Sequence, residues 1–517
     1  MSSTSEILRY VGPLVRIVLS HPYSAAGMLM FAIIIWKASY RYFHKPRGRA
    51  MSFNSFNMIQ GSFPAAAKVV PPIINIVLFF EQCPSLDAVS EVVTRLQTFD
   101  RFRMVPKYDK STNMWIYSSD CEFSRSDMIS STLVRNEVEL KTEIHRVSTS
   151  DLSFYDTTPA YHLRRVDNIG EGFSAIILRI HHVIGDGMSL VAAMEKGFTD
   201  IEGNPVKIEM PSNAKKGEEA EKKKKKGISF NLVLDVFFSA FKVLGLAVSS
   251  FDSDILFTTG DKKNLSMTPS RKILYFPTLR LDFVKSLKNK ALVTINDVMM
   301  AATSGAIRRY CLYRGDPLLT SGGKTCNRML IPVAFPRSAE ETKNPVRAMR
   351  NKWAFVSSEM PIHIEDSKER LNFCNKAMTY LKNSPMALVQ FWIQNNILPL
   401  LPTFLAQGTA LDLFKRHSMV FSNVPGPDRP LAFAGERVMA MQTIFPNLLP
   451  QALIVSYNGG VFMNMVVDDE LITESDKLKS FFIEEVKELA RLHSLSTEDS
   501  NIFLPASISG SEFSAAI

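Results

Sequence analysis

The residues of this chain best placed to do chemistry are two adjacent histidines, His181 and His182, with Asp186 four positions beyond them in the stretch ILRIHHVIGDGMSLVAAM (Ile177–Met194). Imidazole is the side chain whose unperturbed pKa lies nearest neutrality, so it can take a proton from an alcohol or thiol as a new bond forms. The run Phe173–Ile180 is dense in Ile and Leu, and Met188, Val191, Met194 and Phe198 follow at helical spacing, so the pair is expected where a strand gives way to a turn and a helix. Gly185 and Gly187 are expected to let the backbone turn sharply on either side of Asp186, folding the aspartate back toward the strand end. Successive strand side chains point to opposite faces, so His181 and His182 cannot both face a cleft while the strand persists. One is chemical and the other structural.

Two plainer readings compete with this one. A zinc site needs three or four ligands, and no second His or Cys cluster with ligand spacing accompanies His181, His182 and Asp186; His145 and His162 sit in ordinary local sequence. Ordinary core histidines fit the same spacing. Spacing alone does not decide between them.

The elements that must position the motif read as α/β. IINIVLFF (Ile73–Phe80) is a short β-rich run, and LDAVSEVVTRLQTF after it has apolar residues at helical spacing. Alternating strands and helices continue from there, the pattern of a layered α/β architecture. At 517 residues the chain is too long for one core, and two lobes are expected. The expected division is a membrane anchor and basic flank over 1–50, one lobe over 51–201, a charged linker and amphipathic helix over 202–264, a second lobe over 265–492 and a polar tail over 493–517.

Charge separates the folded part from its flanks. Formal net charge is +9, with +5 from Lys37, Arg41, Lys45, Arg47 and Arg49 and +4 from Asn213–Lys226, so the remainder sums to zero. A nucleic-acid binder carries its basic residues on a folded surface, and nucleic acid is set aside. The five cysteines are scattered and form no CxxC pair, which argues against a disulfide framework or zinc ribbon and for a reducing, cytosol-facing compartment.

Tyr23–Trp36 is uncharged and reaches spanning length only with the flanks Leu19–Tyr40, making a transmembrane helix of marginal length; a helix buried against the domain is the alternative. It runs into WKASYRYFHKPRGR with no small-residue cleavage site, so it is expected to be retained, with the basic side and the lobes in the cytosol. KKGEEAEKKKKK cannot bury a core and reads as linker, while Phe230–Phe251 reads as an amphipathic helix at a membrane surface or between lobes.

HHVIGDG resembles the HHxxxDG signature of the bifunctional wax ester synthase/diacylglycerol acyltransferase family, itself similar to chloramphenicol acetyltransferases and peptide-synthetase condensation domains. Three further pieces follow in the family's order: TINDVMMAATSGAIRRY (Thr294–Tyr310) resembles its ND-containing helix, FSNVPGP (Phe421–Pro427) its NVPGP loop, and LIVSYNGGVFMNMVVDDELI (Leu453–Ile472) its closing SYNG strand pair. The resemblance spans about Ile73–Leu492. One departure is PAYHL (Pro159–Leu163), where bacterial members carry a PLW-type motif.

The resemblance implies two chloramphenicol-acetyltransferase-like lobes, with mixed sheets flanked by helices and a channel where they meet. It implies His182 as general base, His181 in support, and Asp186 holding the loop through an arginine or a backbone amide. Gly187 would lie where a larger side chain crowds the tunnel, Asn296 and Asp297 would begin a helix beside the site, and Asn423 would contact ligand, all four as substrate-binding residues. Asn296 also suits a helix N-cap, and NVPGP also reads simply as a rigid loop. Arg337 is a candidate for meeting the acyl donor's phosphates, with a solvated surface arginine as the plainer reading.

The implied activity is transfer of an acyl group from acyl-CoA, a co-substrate, to a long-chain alcohol or diacylglycerol, with no other cofactor and no metal, at a membrane such as the endoplasmic reticulum or at a lipid droplet. Two rivals stay open: a same-fold enzyme acting on a small hydroxylated metabolite, whose plant-type members carry a DFGWG motif absent here, and a non-catalytic lipid binder.

Overall fold

In the computed structural model the described residues are 48–59, 72–112, 114–119, 122–152, 157–208, 230–246, 249–258, 268, 270–335, 337, 339–400 and 412–505. The strands Ile73–Phe80 and Ser174–His181 are buried at every position and pair antiparallel, with Ile73 opposite His181. Buried on both faces, they are rich in Ile, Leu and Phe, interrupted inside only by Asn75 and Arg179, where a half-exposed strand would alternate polar and apolar residues. Tyr161–Asn168 and Ile129–Val134 extend the same sheet on one side. The helix Leu86–Leu96, capped by the Ser85 hydroxyl accepting from the Ala88 amide, buries Val89, Val92, Val93 and Leu96 in this first core.

A second sheet of seven strands carries the other core. Its closing hairpin, Gln451–Tyr457 with Gly460–Val467, turns at Asn458 and Gly459, both at positive φ (44° and 78°). Asn-Gly with both residues left-handed is the turn whose twist matches that of the strands it joins. The helix Ile295–Tyr313 is buried from Asp297 through Ile307, which explains its run of Met, Ala and Ser in place of a polar face. It opens on a capping box: the Thr294 hydroxyl accepts from the Asp297 amide, and the Asp297 carboxylate accepts from the Thr294 amide. Thr294 is therefore the cap, and Asn296 is not.

The lobes are not separate runs of sequence. Ala440–Ile444 leaves the second lobe and pairs antiparallel with Ile73–Phe80 as an edge strand of the first sheet. Ala432–Phe433 likewise pairs with Phe198–Thr199. The tail expected from 493 onward is not all surface either, since Ile502 is buried and the Leu504 amide donates to the Thr278 carbonyl.

The expected membrane anchor lies outside the described residues, as does the lysine-rich part of the linker. Among the described residues no helix is long and apolar enough to cross a membrane. Of the helix expected over Phe230–Phe251, Phe230–Leu246 is helical and residues 249–251 are not.

Candidate active site

The motif's strand ends with both neighbouring chains holding it: the His181 amide donates to the Ala160 carbonyl and the His182 amide to the Pro72 carbonyl. The turn that follows is braced from below. The Arg101 guanidinium donates to the Val183 and Ile184 carbonyls at 2.9 and 3.1 Å and lies 4.3 Å above the Tyr117 ring, and the Tyr117 hydroxyl donates to the Val183 carbonyl at 2.8 Å. Neither glycine of GDG has a positive φ. Gly185 is required for another reason: a Cβ there would stand 2.4 Å from the Ser189 Cβ. A Cβ on Gly187 would meet nothing nearer than 3.8 Å, so the first carbon fits and only longer side chains reach the cavity that Gly187 lines.

The two histidines part as strand geometry demands. His181 is buried, and its Nδ1 accepts the Val183 amide at 3.1 Å; burial drives its pKa down to about 3, so it is neutral. His182 lines a cavity, its ring beside those of Trp353 (5.9 Å) and Phe445 (5.8 Å). Its Nδ1 lies 3.0 Å from the Asn351 Oδ1. The Asn351 amide cannot be turned round, because its Nδ2 donates to the His182 carbonyl at 2.8 Å and to the Val183 carbonyl at 3.3 Å. The oxygen therefore faces the imidazole, Nδ1 carries the proton, and Nε2 keeps its lone pair. Burial lowers the His182 pKa below its usual value, while the nearby Asp186 charge and the Asn351 contact oppose that shift.

Asp186 joins the lobes. It caps the helix Gly187–Gly197 by accepting the Ser189 amide at 3.0 Å, and its other oxygen accepts the Lys352 amide at 2.7 Å. Arg337 pairs with it at 2.7 Å, both side chains 3% exposed. Both expected kinds of partner are thus present. Arg337 is neither a surface arginine nor free to meet phosphates, because the pair buries its charge inside the seam.

The cavity, about 330 Å³, lies between the two sheets. Its wall is mainly apolar, with Ile74 and Met194 from the first lobe and Trp353, Phe355 and Leu453 from the second. Asn423 and the rest of the NVPGP loop line it as well. Gly426 is there for closeness, since a Cβ would stand 2.2 Å from the Ser456 carbonyl oxygen. Asn423 donates to the Asn296 Oδ1, which places Asn296 one contact behind the wall. Asp297 is not brought to the cavity: it is fully buried, occupied by its capping box and by the Asn375 amide at 2.9 Å, and its expected role as a substrate contact is corrected to a structural one.

The PAYHL segment is also away from the cavity wall, with Tyr161 buried and its hydroxyl accepting from Gln97. Among the described residues no group of His, Cys, Asp and Glu is arranged to hold a metal. Asn351, Arg101 and Tyr117 escaped sequence reasoning. They sit in segments with no motif. Arg101 and Tyr117 lie 82 and 66 residues before Val183 and reach the turn through the folding of the first lobe, whereas Asn351, 169 residues after His182, is brought to it by the docking of the second.

Fold and site define a two-lobed mixed α/β protein with an HHxxxDG turn at the seam, the architecture shared with condensation domains. The first condensation domain of the calcium-dependent antibiotic synthetase matches over 88% of this chain and 98% of its own, with a TM-score of 0.56 at 13% identity. The wax ester synthase/diacylglycerol acyltransferase from Marinobacter aquaeolei VT8 matches over 83% and 96%, with a TM-score of 0.53 at 14% identity. In sequence, residues 349–490 match the model of the WS/DGAT C-terminal domain. Wax ester synthase/diacylglycerol acyltransferase 2 of Arabidopsis thaliana is 24% identical over 340 residues, 60% of this chain and 68% of that protein. A Mycobacterium tuberculosis protein named "Probable diacyglycerol O-acyltransferase tgs1" is 22% identical over 342 residues, 62% and 69% respectively. The chain is thus similar to wax ester synthase/diacylglycerol acyltransferases, and over residues 349–490 it matches the C-terminal domain of that family.

Proposed function

We propose that this protein is an acyl-CoA-dependent O-acyltransferase that forms neutral lipid esters, taking a long-chain alcohol, diacylglycerol or both as acceptor. The observation that carries the reading is His182, held by Asn351 as the Nδ1–H tautomer, on the wall of an apolar cavity between two lobes. The match of residues 349–490 to the WS/DGAT C-terminal domain and the names of the relatives support the reaction class.

His182 Nε2 takes the proton from the acceptor hydroxyl as its oxygen attacks the thioester carbonyl. The tetrahedral intermediate collapses by breaking the carbon–sulfur bond, and the CoA sulfur leaves as thiol with the proton returned from the imidazolium. Atoms and charge balance with no covalent enzyme intermediate. Asn351 accepts from Nδ1–H in both protonation states of the ring, so the ring need not turn between the two steps. The apolar wall suits alkyl chains and keeps bulk water from competing as acceptor. In the cell the same chemistry calls for a membrane address, the endoplasmic reticulum or a lipid droplet, with the lobes facing cytosolic acyl-CoA.

The test offers the purified full chain acyl-CoA with a long-chain alcohol, with diacylglycerol and with neither, reading ester and released CoA thiol. The expected result is ester and thiol in equal amounts with at least one acceptor, lost in His182→Ala. Thiol release that needs no acceptor, or ester formation undiminished in His182→Ala, refutes the reading.

A further inference from the structure

The helix Phe230–Leu246 is amphipathic with its apolar side turned outward. Phe237, Phe238 and Phe241 are 64%, 58% and 73% exposed, whereas Ser239 is buried and Ala240 and Val243 are half-buried. At about 100° per residue, Leu234, Phe237, Phe238 and Phe241 fall within one arc roughly 100° wide. The Phe237 and Phe238 rings touch edge to face at 5.9 Å, so this is a formed aromatic surface and more than scattered apolar residues. The helix packs against Met386–Asn396, which shows solvent its own apolar pair one turn apart, Leu388 and Trp392, 61% and 57% exposed.

Charge and position identify the occupant. Lys242 stands at the edge of the aromatic arc, 4.8 Å above the Tyr380 ring. The sequence leading into the helix carries Lys222–Lys226 with no acidic residue before Phe230. Aromatic residues that reach outward beside cations match the boundary of a bilayer bearing anionic headgroups, where rings enter the acyl edge and cations stay at the phosphates. The face also lies close to the site. Met386–Asn396 packs on the strand Trp353–Glu359, whose Trp353 and Phe355 line the cavity, and Phe391 meets Phe335 at 4.8 Å.

We propose that Phe230–Leu246 and Met386–Asn396 together form a platform that docks on a lipid surface with anionic headgroups, inserting Phe237, Phe238, Phe241, Leu388 and Trp392. The platform holds the cavity wall one strand away from the bilayer, on the side from which a water-insoluble substrate arrives.

The test uses the full chain with vesicles of phosphatidylcholine, alone or mixed with phosphatidylserine, and with acyl-brominated phosphatidylcholine as quencher. Trp392 emission is taken as the difference between the parent and Trp392→Phe, so that attachment elsewhere on the chain does not contribute. The expected result is quenching of Trp392 that is stronger with phosphatidylserine and falls about tenfold or more in apparent lipid affinity in the triple variant Phe237→Ser, Phe238→Ser, Phe241→Ser. That variant should melt like the parent, because all three rings are exposed. Parent Trp392 that stays unquenched on bound vesicles overturns the proposal, as does quenching unchanged in the triple variant. Trp392 shielded from iodide without lipid overturns it too, since another segment or a second copy then covers the face. The assay contains no acyl-CoA or acceptor, so its outcome is independent of the acyl-transfer reading.

Discussion

Asn351→Ala removes the group that sets which nitrogen of His182 is the base. In the parent, Oδ1 accepts from Nδ1 at 3.0 Å while Nδ2 donates to the His182 carbonyl at 2.8 Å and the Ser55 hydroxyl at 3.1 Å. The Val183 carbonyl keeps Arg101 and Tyr117 as donors, and the Ser55 hydroxyl keeps Ser52. The groups left without this partner are the His182 carbonyl and its Nδ1–H, and the carbonyl alone costs about 1–3 kcal/mol. For a lobe of this size that is a drop of roughly 2–10 °C in melting temperature.

The catalytic loss is separate. A neutral hydrogen bond contributes about 0.5–1.5 kcal/mol, and without it the ring samples the other tautomer and other orientations, so kcat should fall about three- to thirtyfold with KM little changed. Because the Asn351 contact favours protonated His182, its removal lowers the base's pKa further. The acid limb of the pH–kcat/KM profile should therefore move to lower pH while the plateau drops. The measurements are steady-state kinetics across pH and a thermal melt. A variant with the parent's plateau and acid limb refutes the positioning role, and a limb displaced to higher pH refutes the assigned tautomer.

His182→Ala should lower ester formation by at least about a hundredfold with a near-parent melt, whereas His181→Ala should cost mainly stability, as read by kinetics and melting on the same preparations. Asp186→Ala leaves Arg337 charged and unpaired in the seam and should destabilise by about 3–5 kcal/mol as well as slow the reaction; parent-like denaturant unfolding would refute the clamp. Burial holds the pKa of His181 and of His417 at about 3, below the unfolded 6.5, so each contributes stability that is present above pH 6.5 and is lost as pH falls toward 3. The expected loss is about 2 kcal/mol for each between pH 7 and 5, steepening toward about 1.4 kcal/mol per pH unit below the unfolded pKa, as measured by urea unfolding, and stability flat across that range would contradict their burial as neutral rings.

Local pattern determined much of this protein. The strand into His181, the helix after Asp186, the Asn-Gly hairpin and the helix Phe230–Leu246 all follow from period, turn chemistry and residue size acting over a few neighbours, though not the outward facing of that last helix. The opposite facing of His181 and His182 follows from strand geometry alone. What needed the tertiary structure is everything that crosses the seam. Asn351, Arg337 and Lys352 approach the motif from a lobe about 150 residues away, and no period or spacing encodes contacts of that range. The same holds for Ala440–Ile444, which belongs by sequence to one lobe and by hydrogen bonds to the other. Asp297 shows the converse: the family resemblance implied a substrate contact, yet packing turned it inward as part of the capping box with Thr294. Exposure is a property of the assembled surface, so only the packed lobes decided which polar residues of each motif face the cavity and which hold the wall.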